Sequence, residues 1–197
     1  LERSEVDARS VVSEAVEQVK PLIELRRHHL EVHVAPGPAH VWGDLKRLVQ
    51  CVANVLNNAA KYTPEGGNIV LHLRTEAEQV VITVTDNGIG MAPDTVAHAF
   101  ELFAQAERTP DRAQGGLGIG LALVKSLVEL HGGWVALHSA GLGQGSKFSI
   151  YLPRHQRPPA PTAAPVEAHG LAPAARAGQV RVMVVDDPTL FRRGLVA

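Results

Sequence analysis

The sequence has 197 residues, of which 45% are hydrophobic and 20% charged, and its formal net charge is −1. This composition is typical of a globular domain, and the charge gives no electrostatic case for binding nucleic acid or an anionic membrane. A single cysteine, Cys51, excludes an internal disulfide, and no apolar run reaches the roughly 18 residues of a membrane span. Because the ten histidines are scattered, with no HExxH motif or Cys/His cluster, a zinc site has little support.

The first part of the chain predicts a helix and a strand. Residues 1–7 are expected to be a short lead-in, with Ser4 or Asp7 as the helix cap. Apolar residues keep helical spacing over residues 8–29, where Pro21 is expected to kink the helix or end its first part. Residues 30–34 alternate between apolar and polar, which predicts a half-buried strand.

A second helix is predicted from a cap at Asp44 to the turn at residues 63–67, and its two sides differ chemically. One side carries an apolar stripe of Leu45, Leu48, Val52, Leu56 and Ala59. The other side carries Asn54, Asn58, Lys61 and Tyr62, at positions i, i+4, i+7 and i+8. Two amides can hold a hard cation through oxygen and an ammonium can meet an anion, so this side is either a ligand-binding face or an ordinary solvated one.

The rest of the chain predicts a sheet, two more helices and a tail. We expect strands at residues 68–74 and 79–85, a small helix beginning at Pro93, a polar loop at 105–115, a helix at 119–130 and a hairpin of strands 134–139 and 146–152. Residues 154–179 are rich in Pro and Ala and predict a linker. Residues 180–187 then predict a buried strand that ends in two acids, Asp186 and Asp187.

Two glycine-containing segments have the chemistry of ligand sites. Asp86-Asn87-Gly88-Ile89-Gly90 follows a strand, so its carboxylate can accept a hydrogen bond from an exocyclic amine; the alternative is an ordinary turn. Gly116-Leu117-Gly118-Ile119-Gly120 precedes a helix, where free backbone N–H groups can hold phosphate; the alternative is a hinge. It is a poor dinucleotide fingerprint, because it follows a loop instead of a strand.

Taken together and in order, these motifs resemble the ATP-binding catalytic domain of sensor histidine kinases, part of the GHKL superfamily with gyrase, MutL and the heat-shock ATPases. Residues 54–62 are similar to the N box, 86–91 and 116–121 to the two glycine boxes, 100–103 (Phe100 to Phe103) to the F box, and 143–148 to the last glycine-containing strand motif. The resemblance covers residues 1–153. It implies an α/β fold, a two-layer α/β sandwich of the Bergerat type, with a mixed, mostly antiparallel sheet and helices on one face.

The resemblance also implies roles for individual residues. Asn58 binds Mg²⁺, and Asn54 stands where hydrolysing relatives keep a glutamate base, which favours phosphoryl transfer over hydrolysis. Lys61 faces phosphate, Tyr62 packs beside the nucleotide, and Asp86 accepts from the adenine amine. The other implied nucleotide-binding residues are Gly88, Gly90, Met91, Gly116, Leu117, Gly118, Gly120, Leu121 and Ser146. Arg108 and Arg112 are candidates for phosphate contact on the lid, residues 104–115.

By this resemblance the chain is the ATP- and Mg²⁺-dependent kinase module of a protein-histidine kinase. The alternatives are a nucleotide-binding pseudo-kinase scaffold and an ATP-hydrolysing relative. The acceptor histidine of the family lies in a His-Glu or His-Asp motif on a dimerisation hairpin, which this chain lacks; His28-His29-Leu30-Glu31 has the wrong neighbours.

Residues 180–197 resemble the start of a response-regulator receiver; the alternative is a strand that ends in two aspartates by chance. The expected partners are the hairpin, in the same or a partner protein, and a receiver domain or response regulator. We interpret the sequence as part of a longer protein that can be membrane-anchored, with this domain in the cytoplasm.

Overall fold

The computed structural model describes residues 1–101 and 119–155. In chain order the elements are β1 (Ser4–Asp7), α1 (Ala8–Leu25), β2 (His29–Val34), β3 (His40–Gly43), α2 (Leu45–Tyr62), β4 (Asn68–Thr75), β5 (Gln79–Asp86), α3 (Pro93–His98), α4 (Gly120–Leu130), β6 (Trp134–His138) and β7 (Ser146–Pro153). The predicted loop at 105–115, residues 156–179 of the predicted linker and the receiver-like start at 180–197 lie outside the described residues. Arg154 and His155, the first two residues of the predicted linker, donate backbone hydrogen bonds to the carbonyls of Glu78 and His40. None of the described helices is long and apolar enough to span a bilayer.

Five strands form one sheet in the spatial order β2-β4-β5-β7-β6. Only the β2–β4 pair is parallel; the other three pairs are antiparallel. The strands β1 and β3 form a separate antiparallel pair. The predicted mixed, mostly antiparallel sheet is therefore confirmed.

One face of the sheet packs against α1, α2 and α4. Because side chains alternate across a strand, β4 turns Ile69, Leu71 and Leu73 to the helices and the residues between them to the opposite face. On β5 and β7 the residues facing the helices are Val80, Ile82, Val84, Phe148, Ile150 and Leu152. They meet the apolar stripe of α2, in which Leu48, Val52, Leu56 and Ala59 are buried. This arrangement is the predicted two-layer α/β sandwich.

At the start of the chain the structure adds a strand that was not expected and excludes one of the two alternatives predicted for Pro21. The predicted lead-in contains β1, which pairs with β3 and ends at Asp7, whose side chain accepts from the Arg9 N–H at 3.0 Å and caps α1. Pro21 lies inside α1 without ending it. Proline cannot donate to the carbonyl four positions earlier, which here is that of Glu17. Glu17 and Pro21 are both exposed, so water can reach this carbonyl and the helix tolerates the proline.

The N-terminus of α2 is held by two neighbouring groups. The carboxylate of Asp44 accepts from the Arg47 N–H at 3.2 Å and caps the helix as predicted. The Asp44 N–H donates to Nε2 of His131 at 3.0 Å, and Nδ1 of the same ring lies 2.6 Å from the Leu127 carbonyl oxygen. Since Nε2 accepts, the ring proton is on Nδ1 and donates to that carbonyl. Buried His131 therefore joins the end of α4 to the start of α2.

We expect His131→Ala to lower the free energy of unfolding by about 1–3 kcal/mol, because it leaves the Asp44 N–H without an acceptor beside the core. Urea denaturation measures the change. The matched control is Glu129→Ala on the same helix, where an exposed Lys125–Glu129 pair at 3.9 Å is lost and the expected change is within about 0.5 kcal/mol. Equal urea midpoints for the two variants would contradict this role of His131.

Candidate functional site

The polar face of α2 forms the first wall of the candidate site. Asn54, Asn58 and Lys61 are half-buried, and Tyr62 is exposed at the end of the helix. Within the described part of the chain, neither side-chain amide of Asn54 and Asn58 makes a hydrogen bond. Half-buried amides without protein partners are available to a polar ligand. The Lys61 Nζ lies 5.0 Å from the centroid of the Tyr62 ring, so a positive charge sits beside the aromatic surface.

The segment after β5 is attached directly to the end of α2. The Ile89 N–H donates to the Tyr62 carbonyl oxygen at 3.1 Å. Gly88 packs against the same carbonyl, and a Cβ on Gly88 would lie 2.5 Å from that oxygen. Only glycine permits this approach, so Gly88 allows Asp86 to stand close to the polar face of α2.

The loop between β6 and β7 holds the other side of this segment. The Gly143 N–H donates to the Ile89 carbonyl oxygen at 2.7 Å. The Ser139 hydroxyl accepts from the Met91 N–H at 2.9 Å and donates to the Gly145 carbonyl at 2.7 Å. Residues 86–91 are therefore fixed between α2 on one side and the β6–β7 loop on the other.

Gly90 and Asn87 complete this fixation. Gly90 has φ of +64°, a left-handed conformation, and a Cβ there would overlap the Gly141 carbonyl. The Asn87 amide oxygen accepts from the Asn68 N–H at 2.8 Å, and the Asn87 N–H donates back to the Asn68 carbonyl at 3.2 Å. These reciprocal bonds tie the segment to the start of β4.

The Asp86 carboxyl lies half-buried at the end of β5, opposite Ser146 in the strand register. Burial raises the pKa of Asp86, and hydrogen bonds from the backbone N–H groups of Gly88 and Ser146 oppose this rise. The Gly88 N–H lies 2.9 Å from Oδ1. A half-buried carboxylate with remaining lone pairs can accept a hydrogen bond from a ligand amine.

Most of the predicted residues that the structure describes lie in these walls. Asp86, Gly88, Gly90, Met91 and Ser146 belong to the segment after β5 and its neighbour β7, while Asn54, Asn58, Lys61 and Tyr62 share the polar face of α2. Gly120 and Leu121 begin α4, and Leu121 packs against the core. Gly116, Leu117, Gly118, Phe103, Arg108 and Arg112 lie outside the described residues.

Three further features bear on the sequence interpretation. Phe100 packs on Phe148 with ring centroids 5.7 Å apart, so the F-box residue contacts the sheet.

His28 is buried with Nε2 2.9 Å from the Ala60 carbonyl oxygen, a structural position that does not suit an accessible phosphoryl acceptor. Ser139 belongs to none of the sequence motifs; the glycine-rich residues 140–145 that follow it are the only sequence signal for its role.

Residues 43–156 match the protein family described as "Histidine kinase-, DNA gyrase B-, and HSP90-like ATPase". The sensor histidine kinase RppB of Synechocystis sp. is 36% identical over 143 residues, which are 73% of this chain and 31% of RppB. The sensor-like histidine kinase SenX3 of Mycolicibacterium smegmatis is 37% identical over 153 residues, which are 78% of this chain and 39% of SenX3. The chain thus spans less than two fifths of either relative.

Solved structures are similar to this chain in sequence and in fold. The mycobacterial sensor histidine kinase MprB superposes with a TM-score of 0.67 at 31% identity, covering 79% of this chain and 99% of the MprB chain. Full-length ShkA, solved in complex with AMPPNP, superposes with a TM-score of 0.68 at 31% identity, covering 80% of this chain and 32% of ShkA. The chain therefore belongs to the histidine kinase-, DNA gyrase B- and HSP90-like ATPase family, and within it to the ATP-binding catalytic domains of sensor histidine kinases.

Proposed function

We propose that this domain binds ATP together with Mg²⁺ and transfers the γ-phosphoryl group to a histidine on a dimerisation hairpin, leaving ADP. The observation that carries the proposal is the attachment of the Asp86 segment to the carbonyl of Tyr62, at the end of the helix that carries the half-buried amides of Asn54 and Asn58. A hydrogen-bond acceptor for the base then lies on one side of the site and amide ligands on the other.

Asp86 accepts from the exocyclic amine of adenine, and Gly88, Gly90 and Met91 leave room for the base. Tyr62 packs beside the nucleotide. Ser146 supports Asp86 through its backbone N–H, one of the two that oppose the rise of the Asp86 pKa. This division of roles suits a half-buried carboxylate, whose hydrogen bonds to a neutral donor are stronger than those of an uncharged acceptor.

The phosphates lie toward the amide face of α2. Asn58 holds Mg²⁺ through its amide oxygen, the kind of ligand that this hard cation prefers. Mg²⁺ held by Asn58 would supply positive charge to the phosphate oxygens. Lys61 faces phosphate, while Gly116, Leu117, Gly118, Gly120 and Leu121 belong to the second glycine box, whose backbone N–H groups meet the phosphates. Asn54 cannot take a proton, so it positions the metal or water and favours transfer over hydrolysis.

We further propose the setting of the domain. Residues 1–153 are the catalytic domain, 154–179 a linker and 180–197 the start of a receiver-like domain. The hairpin that carries the acceptor histidine belongs to the same or a partner protein, a receiver domain or response regulator takes the phosphoryl group onward, and the domain works in the cytoplasm.

The direct test mixes the chain with γ-labelled ATP, Mg²⁺ and a separately produced histidine hairpin from a sensor histidine kinase that it resembles. We expect label on the hairpin histidine and none on a hairpin in which that histidine is replaced by Gln. Binding of ATP without transfer to any hairpin tried would favour the scaffold alternative. Release of labelled phosphate that is as fast without the hairpin as with it would favour the hydrolase alternative.

We expect Asn58→Ala to weaken Mg²⁺-dependent ATP binding roughly 10- to 100-fold, because the variant removes a ligand oxygen next to charged groups. The matched control is Asn57→Ala, one residue away on the exposed side of α2, for which we expect no change. Calorimetric titration with and without Mg²⁺ measures both. If Asn58→Ala weakens binding equally in the absence of Mg²⁺, its proposed role as a metal ligand is wrong.

We expect Asp86→Asn to weaken ATP binding while stabilising the nucleotide-free domain at pH 7. Burial raises the pKa of Asp86 in the folded state, so its ionised form is disfavoured there. The carboxyl therefore favours the folded state most at low pH, and this contribution is lost as the pH rises through the folded pKa. The stability gain of the variant should shrink as the pH falls from 7 to about 4, which urea denaturation at several pH values measures. A gain that grows on acidification would contradict this sign.

A further inference from the structure

Strand β2 is one edge of the five-stranded sheet, and among the described residues no strand pairs with its outer side. Along β2 only Leu30 is half-buried; the other residues are exposed. Val32 and Val34 retain 41% and 44% of their accessible surface. An edge strand with exposed β-branched residues and no proline in its span is open to pairing with a further strand.

The backbone polarity of this edge follows from its hydrogen bonds to β4. The N–H groups of His29 and Ala35 donate to the carbonyls of Gly67 and Leu73, at 2.9 and 2.8 Å. In a parallel pair, the residues that bond to one neighbour alternate with residues that point away from it. The odd-numbered residues of β2 therefore face β4, and the N–H and C=O groups of Leu30, Val32 and Val34 face outward.

The outward N–H and C=O groups of one copy can pair with the same groups of a second copy in an antiparallel arrangement. If Val32 lies opposite Val32 of a second copy, Leu30 lies opposite Val34, and all of these residues have outward backbone groups that can exchange hydrogen bonds. The same register places Glu31 opposite His33. The two side chains share the face away from the helices and are more than half exposed, and within one copy His33 Nε2 lies 3.1 Å from Glu31 Oε2. Pairing of two copies exchanges this exposed contact within the chain for the same contact between chains. One register thus forms the backbone hydrogen bonds, the contacts between apolar side chains and the contact between Glu31 and His33.

We propose that β2 pairs antiparallel with β2 of a second copy of this chain, about a two-fold axis at Val32, and that the two sheets become one continuous sheet. The interface is isologous: Glu31 of each copy meets His33 of the other, and Val32 meets its own equivalent. One strand pair buries less than the roughly 1,000 Å² of a stable interface, so the dimer is weak and concentration-dependent. The pairing does not depend on nucleotide binding.

Sedimentation equilibrium of the full chain, from about 10 μM to about 1 mM, tests the proposal. The parent chain should shift from monomer toward dimer across this range. Glu31→Lys places Lys opposite His, and His33→Glu places Glu opposite Glu, so each variant alone should remain monomeric. An equimolar mixture of the two restores complementary charges in both contacts and should dimerise again. This recovery distinguishes the proposed register from any other interface.

Two further variants separate pairing from folding. Val32→Pro removes an N–H that faces outward, so it should abolish dimerisation while the bonds to β4 remain. His72→Asn removes the ring stacked on His33 at 4.8 Å but leaves the register intact, so it should dimerise like the parent. Thermal unfolding checks that each variant is folded. A parent chain that stays monomeric at about 1 mM, or a mixture of the charge variants that stays monomeric, overturns the proposal.

Discussion

The carbonyl oxygen of Tyr62 is the contact on which the rest of the site depends. Tyr62 is the last residue of α2. Its carbonyl oxygen accepts a hydrogen bond from the Ile89 N–H, and Gly88 packs against the same oxygen. A helix end has carbonyls without intrahelical partners, and here one of them fixes the segment that follows β5. The amide face of α2 and the Asp86 carboxyl are brought together by this contact because each lies at the end of an element that the core already holds.

The opposite end of α2 is fixed by different chemistry. Asp44 caps the helix, and His131 accepts from the Asp44 N–H while it donates to the Leu127 carbonyl. The helix is therefore held at its start by α4 and at its end by the Asp86 segment, while its apolar stripe packs on the sheet. Such double fixation limits movement of Asn54 and Asn58, which is what a site for a charged ligand requires.

Much of this arrangement is predictable from the sequence because its causes are local. The apolar period of α2, the cap at Asp44 and the glycines of the Asp86 segment each determine structure within a few residues. The strand pair β1–β3, the role of Ser139 and the bonds of His131 depend on residues far apart in sequence. Short strands and single polar side chains carry no periodic signal, so these features emerge only from the assembled fold.

In the proposed function, binding of ATP depends on recognition of the exocyclic amine of adenine by the Asp86 carboxylate. Titration of the full chain with ATP and with ITP tests it most directly, because ITP carries a carbonyl oxygen where ATP carries that amine. We expect ITP to bind at least about tenfold more weakly than ATP, since two acceptors then face each other in a half-buried site. Equal affinities for the two nucleotides would contradict the account.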